Sequence, residues 1–141
     1  MPDSRDPLTE DDLFRAGLQV RREVLGDDYV NKAIQEPNGF TQPLQEVVTK
    51  AAWGMVWTRP GLSRATRSML NIALLSALNR SDELALHLRG AIRNGVTKAE
   101  IQEVILHTSM YAGMPAAVSS FKLADRVLTE MENEPKRDSK L

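Results

Sequence analysis

Arg80-Ser81-Asp82-Glu83-Leu84-Ala85-Leu86-His87, then Asn94-Gly95-Val96-Thr97-Lys98-Ala99-Glu100, then Tyr111-Ala112-Gly113-Met114-Pro115-Ala116-Ala117 punctuate the stretch from 80 to 117. Together they read as two helices joined by a tight corner, with a third beginning at the end. Ser81 is the expected N-cap of the first helix, and Asp82 and Glu83 place carboxylates at the positive end of its dipole. Gly95 stops that helix, because glycine takes the left-handed conformation after the C-cap without steric cost. Thr97 and Glu100 form a capping box that opens the second helix. Gly113 ends it, and Pro115 falls in the first turn of the third.

Both histidines of the chain lie in this stretch. Arg80, Glu83 and His87 have spacings of three and four, so they share one side of a helix if Arg80 keeps its direction at the entrance. A guanidinium, a carboxylate and an imidazole on one face can bind an anion and move a proton. Glu100, Glu103 and His107 repeat the spacing on the second helix, with Tyr111 one turn further.

The rest of the chain bounds what these rows can do. Its 141 residues fit one domain with a real core, 42% hydrophobic and 26% charged. A formal net charge of -1 gives no basic field for nucleic acid or an anionic membrane. The absence of cysteine removes disulfides, thiolate metal sites and thiol redox chemistry. With two histidines, a zinc site would need carboxylate help, and no metal is expected. No long apolar run or secretory signal is present, so a soluble, intracellular protein is expected. The chain ends Ser139-Lys140-Leu141, a peroxisomal address in a eukaryotic host. The expected location is therefore the cytoplasm of a bacterium or the peroxisomal matrix of a eukaryote, and the bland reading is a polar tail.

Residues 1–8 form an expected mobile arm, 9–132 a helical domain and 133–141 a charged, disordered tail. Thr9 to Asp12 resembles a capping box for a helix reaching Leu25, and a short helix follows around Tyr29–Gln35. Leu44, Val47, Val48, Ala51, Ala52 and Met55 keep helical period from Pro43 toward Trp57. Ser63 caps a helix with apolar residues nearly all round, which belongs at the centre of a bundle or between subunits. Val118, Phe121, Ala124 and Leu128 continue the pattern to about Glu132. No strand alternation or long repeat interrupts it. The expected fold is all-α, a single-domain bundle of about six helices that self-associates.

Several of these segments, taken in order, resemble the carboxymuconolactone decarboxylase family. They are Trp57-Thr58-Arg59-Pro60-Gly61-Leu62, Arg64-Ala65-Thr66-Arg67-Ser68, Glu83-x-x-x-His87, Asn94-Gly95-Val96-Thr97-x-x-Glu100-Ile101-x-Glu103-Val104 and Tyr111-x-Gly113-x-Pro115-Ala116-Ala117. The wider superfamily includes alkyl hydroperoxidase D-like proteins with Cys-x-x-Cys-x-x-x-His before the same glycine. Here those cysteine positions hold Arg80 and Glu83, so peroxidase chemistry is set aside. Ala112 and Val118 stand where many relatives carry Cys and Asn.

The resemblance implies a ring-like homo-oligomer (trimer or hexamer) with sites near subunit contacts. It also implies cofactor-independent loss of CO2 from a small carboxylated lactone in aromatic-acid catabolism (the protocatechuate, or 3-oxoadipate, route). Such chemistry needs donors at the lactone oxygen, arginine for a second carboxylate and an acid to protonate carbon. His87 is assigned as proton donor because free imidazole titrates near neutrality. Glu83 orients it or passes on its proton, and Arg80 completes the catalytic row. Arg67, Arg59, His107, Tyr111 and Trp57 are the substrate-binding candidates. From the residues alone, His87 also suits a histidine hydrogen-bonded at the core's edge, and only the resemblance turns the reading toward catalysis. Glu103 and His107 equally suit a surface pair or a subunit contact. A different ring acid, or a ligand-binding helical oligomer without catalysis, are the competing functions.

Overall fold

A computed structural model describes residues 7–35 and 38–136 of the chain. Every regular element among them is helical: seven α-helices and one π-helical segment. The all-α expectation is met. The chain divides into two compact units, one ending at Arg64 and the other beginning at Ala65.

In the N-terminal unit, α1 (Glu10–Leu25) opens with the expected capping box. Asp12 N–H donates to the Thr9 hydroxyl, and Thr9 N–H donates to the Asp12 carboxylate, both at 3.1 Å. Gly26, at φ +89°, closes the helix, and α2 (Asp27–Gln35) follows directly. The periodicity from Pro43 to Trp57 predicts one continuous α-helix. The structure instead has α3 (Gln42–Val48) widening into a π-helical segment over Thr49–Val56, where Trp57 N–H bonds five residues back to Ala52 O at 3.0 Å. A hydrophobic pattern cannot register that change, which shifts each bond partner by one residue.

Backbone contact holds the π segment on α1. A Cβ on Gly17 would lie 2.1 Å from Thr49 O, and one on Gly54 would lie 2.4 Å from Leu13 O. Side chains then fill the flanks. Arg21, nearly fully buried, donates from Nη1 to Thr49 Oγ1 at 3.2 Å. Trp53 and Trp57 are buried, with their rings stacked at 4.8 Å. Arg64 pairs with Glu23 at the surface.

The C-terminal unit contains α4 (Arg64–Ala77, from Ala65 onward), α5 (Ser81–Arg93), α6 (Lys98–Ala112) and α7 (Met114–Asn133). Its core gathers Ile72, Leu84, Leu88, Ala91, Ile101, Ile105, Ala124 and Leu128. The corner after α5 forms as the sequence requires. Gly95 sits at φ +87°, its N–H bonds Ile92 O, and Val96 N–H bonds Ala91 O at 2.9 Å. That is a Schellman turn, and its two apolar ends, Ala91 and Val96, are both buried. Thr97 and Glu100 then exchange the bonds of their capping box.

The start of α5 differs from expectation. Arg80, not Ser81, is the N-cap, with φ -97° and ψ 75°. Asn79 turns through φ +56°, and Arg80 N–H bonds back to Leu75 O at 2.9 Å. The tight link to α4 thereby brings helical geometry one residue forward, and Ser81 becomes the first helical residue.

Asn133 is the last residue of α7, so the helix reaches one residue into the expected tail, and residues 134–136 are exposed without regular structure. Met1 to Asp6 of the expected arm, and Arg137 to Leu141 with the Ser139-Lys140-Leu141 tripeptide, lie outside the described residues. Among the described residues, no helix is long and apolar enough to cross a membrane.

Candidate active site

The site begins with how α5 is anchored. Leu84, Leu88 and Ala91 point into the core at intervals of four and three, which fixes the rotation of the helix. His87 then falls at the edge of that stripe, half-buried, facing α4. There Asn71 Nδ2 lies 3.3 Å from His87 Nδ1. Seven residues further along α5, Asn94 Nδ2 donates to Ser68 Oγ at 2.9 Å. The two side-chain amides therefore tie α4 and α5 together at two levels.

Burial sets the charge of His87. Loss of solvent pushes its pKa down from 6.5 to about 4, and the Glu83 carboxylate one turn earlier raises it without winning. At pH 7 the folded protein therefore holds His87 as neutral imidazole, well below the free value from which its proton-donor assignment started. Glu83 is exposed and acts on the imidazole through its charge. Arg67 stands one turn before Asn71 on the same face of α4, half-buried.

Arg80 is placed differently from the face suggested by its spacing. As a non-helical cap it lines a crevice of about 10 Å³ with Asn79, Ser81, Leu84, Ser119 and Ser120. That space is about the size of one water and admits no organic acid.

On α6, Glu100 is used by its capping box. Among the described residues no ion pair joins Glu103 to His107. His107 instead stacks on the Tyr111 ring, centroids 4.9 Å apart. Both rings line a groove of about 370 Å³ between α4 and α6, whose other walls are Ala73, Leu74, Ala77, Thr108 and Ala112. His87 is not among its lining residues. Leu74 does follow Asn71 by three residues, so the groove adjoins the α4 face that carries Asn71.

Trp57 and Arg59 belong to the N-terminal unit, Trp57 buried and Arg59 exposed. Among the described residues, no three His, Asp or Glu side chains gather as a metal site.

The sequence reading did not find Asn71. A signal existed. An Asn inside an uncharged helical run, Ser68 to Asn79, is unfavourable for helix and desolvation alike unless its amide is used.

Comparison with known proteins adds to this geometry. Residues 42–126 match the family described as the Carboxymuconolactone decarboxylase family. A 4-carboxymuconolactone decarboxylase of Acinetobacter baylyi is 44% identical over 133 residues, covering 94% of this chain and 99% of that protein. The nitrosuccinic acid decarboxylase npaB of Metarhizium robertsii is also 44% identical, over 119 residues, covering 84% of this chain and 83% of that protein. A 4-carboxymuconolactone decarboxylase of Pseudomonas putida is 40% identical over 47 residues, 33% of this chain and 98% of that sequence.

Proposed function

Because the chain belongs to the carboxymuconolactone decarboxylase family, we propose that it is a carboxy-lyase releasing CO2 from 4-carboxymuconolactone or a near relative, without a cofactor. The reading rests chiefly on the extent of likeness to the Acinetobacter enzyme, which spans nearly both chains. The C-terminal unit supplies chemistry that suits it. When the carbon–carboxylate bond breaks, its electron pair spreads through the ring double bond to the lactone carbonyl oxygen. CO2 departs, and ring carbon then takes a proton from solvent to give the enol-lactone.

A neutral imidazole serves this reaction as a hydrogen-bond donor at the oxygen where charge develops. Such a donor in a dry site contributes on the order of 3 kcal/mol of barrier lowering. His87 is the group we assign there, with Glu83 orienting it. Arg67, one turn from the residue that holds His87, is our first choice for the second carboxylate. Arg80 is placed second because, as an exposed cap outside the helix, it leaves the helical face shared by Glu83 and His87. Arg59, Trp57, His107 and Tyr111 remain binding candidates.

A second substrate has a specific observation behind it, the equal identity to the nitrosuccinic acid decarboxylase. Nitrosuccinate also carries two carboxylates, and its nitro group accepts the electron pair on oxygen as a lactone carbonyl does. One oxyanion donor and one arginine would serve both acids.

The test is an ultraviolet assay of metal-free protein with 4-carboxymuconolactone, with CO2 release followed in parallel and nitrosuccinate as the second acid. Lactone turnover is expected. Turnover of nitrosuccinate alone moves the substrate assignment to the second reading, and turnover of neither removes both. His87→Ala should lower kcat by about 10²-fold or more with unchanged far-UV circular dichroism. Near wild-type turnover in that variant removes His87 from the reaction.

We also assign a homo-oligomer, trimer or hexamer. Leu70 and Leu74 on α4 and Leu78 in the turn just after it recur every four residues and are exposed, as are Met110, Tyr111, Met114 and Val118. All lie in two runs without Asp, Glu, Lys or Arg, 68–79 and 104–121. An uncharged, apolar surface of this extent suits a second copy of itself.

A further inference from the structure

We infer that Asn71 is a positioning residue: its side-chain amide donates to His87 Nδ1 and so fixes the proton of the neutral imidazole on Nε2, the nitrogen that then serves the substrate. The inference rests on the decarboxylase reading for its catalytic consequence and on the geometry of α4 and α5 for its structural part.

The contact itself is 3.3 Å, between the amide nitrogen of Asn71 and Nδ1 of His87. An amide nitrogen can only donate, so Nδ1 must accept, and a neutral ring that accepts at Nδ1 carries its proton at Nε2. Neutrality follows from burial, which outweighs the charge of Glu83. Glu83 on α5 acts on the ring through its charge, which favours the cation without winning, and Arg67 lies one turn before Asn71 on α4. The Asn71 amide is the group that the geometry sets against Nδ1.

The position is held from both sides. Asn71 neighbours Ser68, which is fully buried and receives the Asn94 amide, while Leu84 and Leu88 bracket His87 in the core. A donor locked in this way costs no reorganisation when the substrate oxygen gains charge. Asparagine also suits the task better than aspartate. A carboxylate at 71 would accept from Nδ1–H, move the acceptor lone pair to Nε2 and favour imidazolium.

Nitrogen-15 NMR of the imidazoles at pH 7 tests the structural part. His107→Gln removes one of the two histidine signal sets, so the remaining set is His87. A protonated Nε2 with an unprotonated Nδ1 is expected, and a dominant Nδ1–H overturns the inference whatever the enzyme turns over. In Asn71→Asp the Nδ1–H signal should appear, and the acid limb of kcat/KM should move up from about pH 4. In the same variant kcat should fall about tenfold or more, with KM changed less than about threefold. Asn71→Asp with the wild-type tautomer, acid limb and kcat overturns the catalytic part. Should that variant fail to fold, the wild-type spectrum still decides the tautomer, and Asn71→Ser, which keeps a small donor, should retain Nε2–H and more activity than Asn71→Ala. Equal loss in Ser and Ala also overturns the catalytic part. Absence of decarboxylation in the wild-type protein removes the proposed activity while leaving the NMR result standing.

Discussion

His87 shows at residue scale how one environment changes both chemistry and stability. Its imidazole titrates at about 4 in the folded protein against 6.5 in an unfolded chain, because burial disfavours the cation. Between those values the unfolded chain takes up a proton that the folded protein does not. The stability tied to His87 is therefore fully present above about pH 6.5 and is lost as pH falls toward 4, with a slope of up to about 1.4 kcal/mol per pH unit. Urea midpoints at pH 7 and pH 5 should differ more for the wild type than for His87→Gln; equal differences would show a solvated imidazole. The pairing of Glu83 with His87 was legible from their spacing of four. The protonation state was not, because it depends on how much solvent α4 removes.

At the scale of elements, local signals and backbone contacts divide the work. Both capping boxes, the Gly113 stop and the turn at Gly95 stand where the sequence put them. Gly95→Ala should cost about 1 kcal/mol, since its φ of +87° strains an L-residue while open space surrounds the new methyl. Gly17→Ala should cost more, about 2 kcal/mol or above, because α1 and the π segment touch through Thr49 O. Gly39→Ala, with nothing within 4 Å, is the control. Thermal unfolding of the three variants checks the order, and a harmless Gly17→Ala would refute the backbone contact. The π segment itself was illegible. Its hydrophobic period resembles an α-helix, and what distinguishes it is a one-residue shift in bonding beside another helix.

For the whole molecule, the exposed row Leu70, Leu74 and Leu78 carries the expectation. These side chains are 49%, 58% and 66% accessible in the isolated chain. Burying large apolar side chains contributes about 1.5–3 kcal/mol each, so such a row favours association. Leu74→Asp should convert the protein to a smaller species in sedimentation velocity at micromolar concentration, with helical content retained. A wild-type protein that sediments as a monomer refutes the oligomer. The sequence pointed to an apolar helix suited to the centre of a bundle or to a place between subunits; the face left uncovered emerged only when Ser68, Ile72 and Ser76 were found buried.

What the sequence determined by itself is what near neighbours along the chain determine: helical class, the places where helices begin and end, and the linked motifs that mark the family. Those depend on backbone freedom, caps and spacing within a few residues. The tertiary structure decided the rest. It turned Arg80 out of the helix as an exposed cap, gave Asn71 to His87, stacked His107 on Tyr111 and made His87 neutral. Each of these depends on which helix faces meet and how much water they exclude, and no local pattern encodes that.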